Sequence, residues 1–241
     1  MPFTFSHPAI ILPLTLLSKR WISITGFVIG SLTPDFEYFI RMNIRSDFSH
    51  SLLGVLWFDL PLGILLSFVF HNIIRNSFLD NFICKLKIDT DSLRNFNWNT
   101  YFKNNWLKVI VSIIIGAYSH IFWDSFTHST GYFVVNFPML LDNISILGFQ
   151  IKIYSLLQHV STLIGGIVLI YVLINFRVKK TISNSIIKYW GIVMAISLTL
   201  FCIRYFADRE SMLLGTAIVT IISTSMIALI ITSLLLKNKT D

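Results

Sequence analysis

Five stretches of this chain stay apolar for about the length a helix needs to cross a bilayer, and that feature limits what the chain can fold into. They are Leu52–Ile74, Val109–Phe126, Leu156–Phe176, Tyr189–Phe206 and Met212–Leu236. A spanning α-helix takes about 20 mostly apolar residues. Hydrocarbon offers no water to backbone N–H and C=O groups, so each span must close its own hydrogen bonds, as a helix does. Composition agrees: 54% of the 241 residues are hydrophobic and 13% are charged, whereas charged residues make up about a quarter of a soluble domain. The expected fold is all-α, a multi-pass integral membrane bundle forming a single membrane domain over residues 1–241. About five helices span. Two shorter apolar runs, Ala9–Leu17 and Trp21–Leu32, flank Ser18-Lys19-Arg20; at that length they are expected as interfacial or re-entrant helices.

The net charge of +7 would point a soluble protein toward nucleic acid. Here Lys and Arg lie mostly between the apolar runs, where they set topology, so the lipid bilayer is the expected partner and nucleic acid is disfavoured. Segment 75–108 carries Arg75, Lys85, Lys87, Arg94, Lys103 and Lys108, whereas 127–155 carries Lys152 alone. Arg177, Lys179, Lys180 and Lys188 follow the third span, and Lys237 and Lys239 end the chain. This alternation puts 75–108, 177–188 and the C-terminus on the cytoplasmic side, and 1–51, 127–155 and 207–211 outward. Lys19, Arg20, Arg41 and Arg45 oppose it. Residues 75–108 read as a polar cytoplasmic loop rich in aromatic residues (Phe78, Phe82, Phe96, Trp98, Tyr101, Trp106), suited to headgroup level. The N-terminus lacks the basic start and small-residue cleavage pattern of a signal peptide. The two cysteines, Cys84 and Cys202, predict no disulfide framework.

Chemistry is carried by polar residues that an apolar chain does not otherwise need. His120, Asp124 and His128 stand at i, i+4 and i+8, which on an α-helix stacks them along one face. An ionised Asp in an apolar segment requires compensation. Imidazole and carboxylate together are good ligands for zinc and similar divalent cations, and a hydrogen-bonded pair of histidines is the alternative. A tripeptide recurs as Phe5-Ser6-His7, Phe48-Ser49-His50 and Phe126-Thr127-His128. Its hydroxyl can cap a helix or orient the neighbouring imidazole.

Plainer readings apply elsewhere. Thr33-Pro34-Asp35 looks like a helix start, with Thr as cap, Pro at the first position and an acid in the first turn. His7, His50 and His159 each suit a membrane interface without further role, His71 reads as structural, and Asp59-Leu60-Pro61 reads as a kink with a buried acid.

The opening Met-Pro-Phe-Thr-Phe-Ser-His-Pro-Ala, the run Gly30-Ser31-Leu32-Thr33-Pro34-Asp35-Phe36-Glu37-Tyr38 and Phe48-Ser49-His50-Ser51 resemble an uncharacterised bacterial family of multi-pass membrane proteins, known only as a domain of unknown function. This resemblance covers most of the chain and implies a bacterial inner (cytoplasmic) membrane location. More distantly, the order His, Pro-Asp, His, His-x-x-x-Asp, Thr-His-Ser is similar to inner-membrane metal-dependent hydrolases and to the zinc-dependent phospholipase C and nuclease superfamily. That second resemblance implies a helical site in which Asp35 and His50 match an early Asp and His. His120 and Asp124 match a pair whose Asp bridges two metals, and His128 matches the next His. The superfamily continues with His-x-x-x-Glu. Here His159 supplies the His, but position 163 is Leu. It also uses an N-terminal amine exposed by cleavage, a place His7 would fill.

The function expected is therefore a metal-dependent hydrolase of a phosphoester, a lipid among the candidates, at the outward membrane face. Its ligands would be His7, Asp35, His50, His120, Asp124, His128 and His159, holding one or more divalent ions, zinc first. Asp35 or Glu37 would serve as general base. The alternative from another class is a transporter or structural membrane protein with a His/Asp cluster. The scarcity of charge in Tyr189–Leu236 beyond Arg204 disfavours a polar path through the bilayer.

Overall fold

The computed structural model describes residues 4–11, 21–81, 87–88, 93–146, 148–175, 177–178 and 186–236. Lys19, Arg20, Cys84, Lys85, Lys179, Lys180, Lys237 and Lys239, which entered the charge and cysteine arguments, lie outside the described residues. In chain order the helices are α1 (Pro8–Ile11), α2 (Ile24–Gly30), α3 (Phe36–Arg41), α4 (Val55–Asp80), α5 (Trp98–Thr127), α6 (Tyr132–Asn136), α7 (Ile153–Asn175), α8 (Ile186–Ala207) and α9 (Leu214–Leu235). Among the described residues four short strands accompany them: β1 (Lys87–Ile88), β2 (Asn143–Ile146), β3 (Phe149–Lys152) and β4 (Arg177–Val178). Among the described residues five helical stretches are long and apolar enough to cross a membrane: Val55–Asp80, Trp98–Asn136, Ile153–Val172, Ile186–Ala207 and Leu214–Leu235. The protein is an all-α, multi-pass membrane protein. With 7 residues, α2 is far too short to span.

Two differences from the sequence expectation have clear causes. Segment 75–108 is helical at both ends, because α4 runs on to Asp80 and α5 begins at Trp98. Arg75 holds the connection between them, donating from Nη1 to the Phe96 carbonyl at 2.8 Å and from Nη2 to the Arg94 carbonyl at 3.3 Å. His71 stacks on Trp98 with ring centroids 4.4 Å apart. The second difference is an antiparallel hairpin of β2 and β3 within 127–155. Ile144, Ile146, Phe149 and Ile151 alternate along it, and Gly148 at φ +87 supplies the left-handed turn residue.

The chain divides into two compact units. The first comprises 1–34, 48–64 and 105–173, and the second 35–47, 65–104 and 174–241. In the first unit the organising contact is between α2 and α5. Gly26 and Gly30 form a Gly-x-x-x-Gly pair on α2. A Cβ on Gly30 would lie 2.2 Å from the Ile113 carbonyl oxygen, and one on Gly116 would lie 2.6 Å from the Phe27 carbonyl oxygen. Backbone therefore touches backbone, as small-residue pairs allow between membrane helices. The Ser23 amide donates to Ser112 Oγ at 2.9 Å and fixes the register. On α7, a Cβ at Gly165 would lie 2.3 Å from Ser6 Cβ, so this glycine admits the turn that carries His7. Along α4, residues Val55–Asp59 form a π-helical turn in which the Leu60 amide bonds the Val55 carbonyl. That wider turn precedes Pro61, which has no N–H to continue the α ladder, and Asp59 is fully buried there.

In the second unit α8 and α9 form a hairpin with a hydroxyl-rich seam. Ser197 Oγ meets Thr224 Oγ1 at 3.1 Å and Ser225 Oγ at 3.2 Å, and Tyr189 meets Ser233 at 3.3 Å. Ser223 Oγ donates to the Phe39 carbonyl at 2.7 Å, tying α3 to α9. Small polar side chains allow close approach and bond across helices where apolar ones gain nothing over lipid.

Candidate metal centre

The α2–α5 contact sets the height of α2 against α5, and the site grows from it. One turn beyond Gly116 on α5 comes His120, whose Nδ1 lies 2.8 Å from the Ser31 carbonyl at the end of α2. A carbonyl can only accept, so Nδ1 carries the proton and Nε2 presents a lone pair. One turn further is Asp124, and His120 Nε2 lies 3.3 Å from its Oδ2.

Each recurring tripeptide then brings a histidine to the same carboxylate. His7, from the turn before α1, places Nε2 3.6 Å from Asp124 Oδ1 and stacks on His120 with centroids 3.7 Å apart. His50, from the loop before α4, places Nε2 3.6 Å from Oδ2. His128, at the end of α5, places Nδ1 3.6 Å from Oδ1. The hydroxyl of the second tripeptide has a definite task. Ser49 Oγ donates its hydrogen to the Pro34 carbonyl at 2.7 Å and lies 3.1 Å from His50 Nδ1. With its hydrogen committed it accepts from Nδ1–H, which leaves His50 Nε2 as a lone pair facing Asp124. His128 differs, because its Nδ1 lies 3.1 Å from the Asp124 backbone carbonyl and donates to it.

Two acceptor nitrogens, of His50 and His120, thus face one carboxylate oxygen, and the potential ligand atoms of His50, His120 and Asp124 lie within 4.8 Å of one another. Bonds of about 2.0–2.1 Å in a tetrahedral zinc site place donor atoms about 3.3–3.4 Å apart. The 3.3 Å and 3.6 Å separations match that spacing, so the residues fit a divalent cation. His7 and His120 are buried at 1% and 0% side-chain exposure, whereas His50 and His128 reach 22% and 26%. The cluster is closed on one side and open on the other.

Three further residues were expected at the site. His159 is exposed on α7 and belongs to no such group among the described residues. Asp35 opens the second unit, fully buried. It precedes α3 without a capping side-chain bond, and Thr33 Oγ1 turns back to the Gly30 carbonyl at 2.8 Å instead of capping α3. Glu37, also in the second unit, is a fastening for the 41–47 turn. Its Oε1 accepts from Arg41 Nε and from the Asp47 amide, each at 2.9 Å, and its Oε2 accepts from Ser46 Oγ at 3.1 Å. Sequence reasoning missed the Ser31 and Pro34 carbonyls, since a main-chain acceptor leaves no mark in residue type.

No curated protein and no solved structure matches the chain. A family model matches residues 1–234. The chain, a membrane protein with a His/Asp cluster built by three separate stretches of sequence, belongs to the family described as Domain of unknown function (DUF4184).

Proposed function

We propose that the cluster holds a divalent cation, zinc being the best match, and that the protein hydrolyses a phosphoester at the outward face of the bacterial inner (cytoplasmic) membrane, its C-terminus cytoplasmic. One observation carries the reading. The lone pairs of His50 and His120 Nε2 converge on Asp124 Oδ2 at 3.6 and 3.3 Å, and three acceptors so close repel one another unless a cation or a proton lies among them. Three protein ligands with an open side are the pattern of catalytic rather than structural zinc. The order of motifs, which resembles that of metal-dependent hydrolases, favours the same reaction class, and the clustering of Lys and Arg in 75–108 and 177–188 favours the orientation.

When bound, such a cation supplies Lewis acidity toward a phosphoryl oxygen and an acidified water. The chain supplies the rest. The Ser31 carbonyl and Ser49 hydroxyl hold two imidazoles in the tautomer that presents Nε2 inward. His7, stacked on His120, walls off the buried side. His128, partly exposed at the rim, is the imidazole placed to move a proton to or from the leaving oxygen.

The test is elemental analysis of detergent-purified wild type, His120→Ala/Asp124→Ala and His159→Ala, followed by a panel of phosphoesters. Wild type and His159→Ala are expected to carry about one equivalent or more of Zn, Mn or Fe, and the double variant none. Chelator-free wild type that holds no metal and takes up none on addition overturns the proposal.

A further inference from the structure

Beside His7, within the first unit, lies a cavity of about 300 Å³, at the small end of the range for ligand pockets. One wall is a single face of α7. Leu157, Val160, Ser161, Ile164, Gly165 and Val168 recur at the three- and four-residue spacing that aligns side chains on a helix. Ile10 and Trp123 line it as well, and the polar part of the lining is Ser6 and His7. Ser161 adds little polarity to the wall, because its hydroxyl donates to the Leu157 carbonyl of its own helix. The cavity is therefore an apolar groove whose lining includes one of the imidazoles facing Asp124.

We propose that this groove takes one acyl chain of the substrate, so that the phosphoester is a lipid rather than a soluble metabolite; the inference rests on the reading of the His/Asp cluster as a hydrolytic metal centre. Two further observations favour hydrocarbon as the occupant. The spanning window of α7 is only 6% buried, so bilayer surrounds the helix that forms the wall, and a chain can enter sideways without crossing water. His7, shared by the lining and the cluster, sets the headgroup beside Asp124. A soluble phosphoester has no use for a dry wall along several turns of α7, whereas a hydrocarbon chain gains affinity with every methylene it buries there.

The probe is a phosphatidic acid with a diazirine in one acyl chain, doped into phosphatidylcholine vesicles holding the full-length protein, photolysed in EDTA and mapped by peptide mass spectrometry. Label is expected on Trp123, Leu157, Val160, Ile164 and Val168 in roughly tenfold excess over Leu163, Ile167 and Ile170, which lie on the same helix outside the groove lining. Val160→Phe/Val168→Phe should cut that excess about tenfold, the effect of displacing roughly two methylenes, while Leu163→Phe leaves it unchanged. Equal labelling around α7 in the wild type overturns the proposal. The two readings fail separately. Groove labelling in a protein that binds no metal keeps the lipid site and removes the hydrolase. Uniform labelling beside turnover of a soluble phosphoester does the reverse.

Discussion

Replacing Ser49 by alanine separates the setting of a ligand's tautomer from simple support of the fold. Ser49 is fully buried, and its hydroxyl makes two contacts, 2.7 Å to the Pro34 carbonyl and 3.1 Å to His50 Nδ1. Each is worth about 1 kcal/mol net, so the apoprotein should lose about 2 kcal/mol. The effect on metal is a separate quantity. Without Ser49 nothing commits the His50 proton to Nδ1, and loss of such an outer partner typically lowers affinity about 10–100-fold, or about 1.4–2.7 kcal/mol. Thermal unfolding of metal-free protein in detergent measures the first term, and zinc competition against a chelator of known affinity measures the second. Affinity equal to wild type in a variant destabilised by the expected amount would refute the tautomer argument. Ser49 would then be a prop for the loop and nothing more.

Two other substitutions probe the frame. Gly30→Ala puts a Cβ 2.2 Å from the Ile113 carbonyl oxygen, and because backbone cannot yield, α2 must lift from α5 at a cost of about 1–3 kcal/mol. The Ser31 carbonyl moves with it, so both melting temperature and zinc affinity should fall; a fall in neither would show the contact to be loose. Glu37→Gln keeps the shape but weakens the bonds from Arg41 and Asp47. With Arg41 33% exposed and screened by solvent, the expected loss is about 1–2 kcal/mol with metal content unchanged, whereas lost turnover at full stability and full metal content would restore Glu37 to the chemistry.

The spans were legible because hydrocarbon imposes a length and a composition that any reader of the chain can measure. Their ends were not. Trp98–Lys108 looked like loop because it is polar and aromatic, yet it opens α5, and a helix end at headgroup level tolerates just that composition. The hairpin at 143–152 was hidden by expecting helix everywhere, although the alternation of Ile144, Ile146, Phe149 and Ile151 around Gly148 was visible. For the site, the i, i+4 spacing of His120 and Asp124 and the repeated tripeptide pointed to residues that the fold brings together. The spacing of His159 from them could not reveal which way it faces, and on α7 it faces out. Nothing in the residues Thr33-Pro34-Asp35 distinguishes a hydroxyl that caps the helix ahead from one that bonds the carbonyl behind.

The glycine contacts also govern the order of assembly. Helix α2 is too short to enter a bilayer on its own. The surfaces that receive α2 and the turn carrying His7, the backbone of α5 near Ile113 and Gly116 and the gap at Gly165 on α7, are synthesised long afterwards. This earlier segment must therefore dock late, once both later helices are inserted. Its contacts are long-range, the kind that close slowly, and His7 joins the cluster at the end of maturation rather than at its beginning.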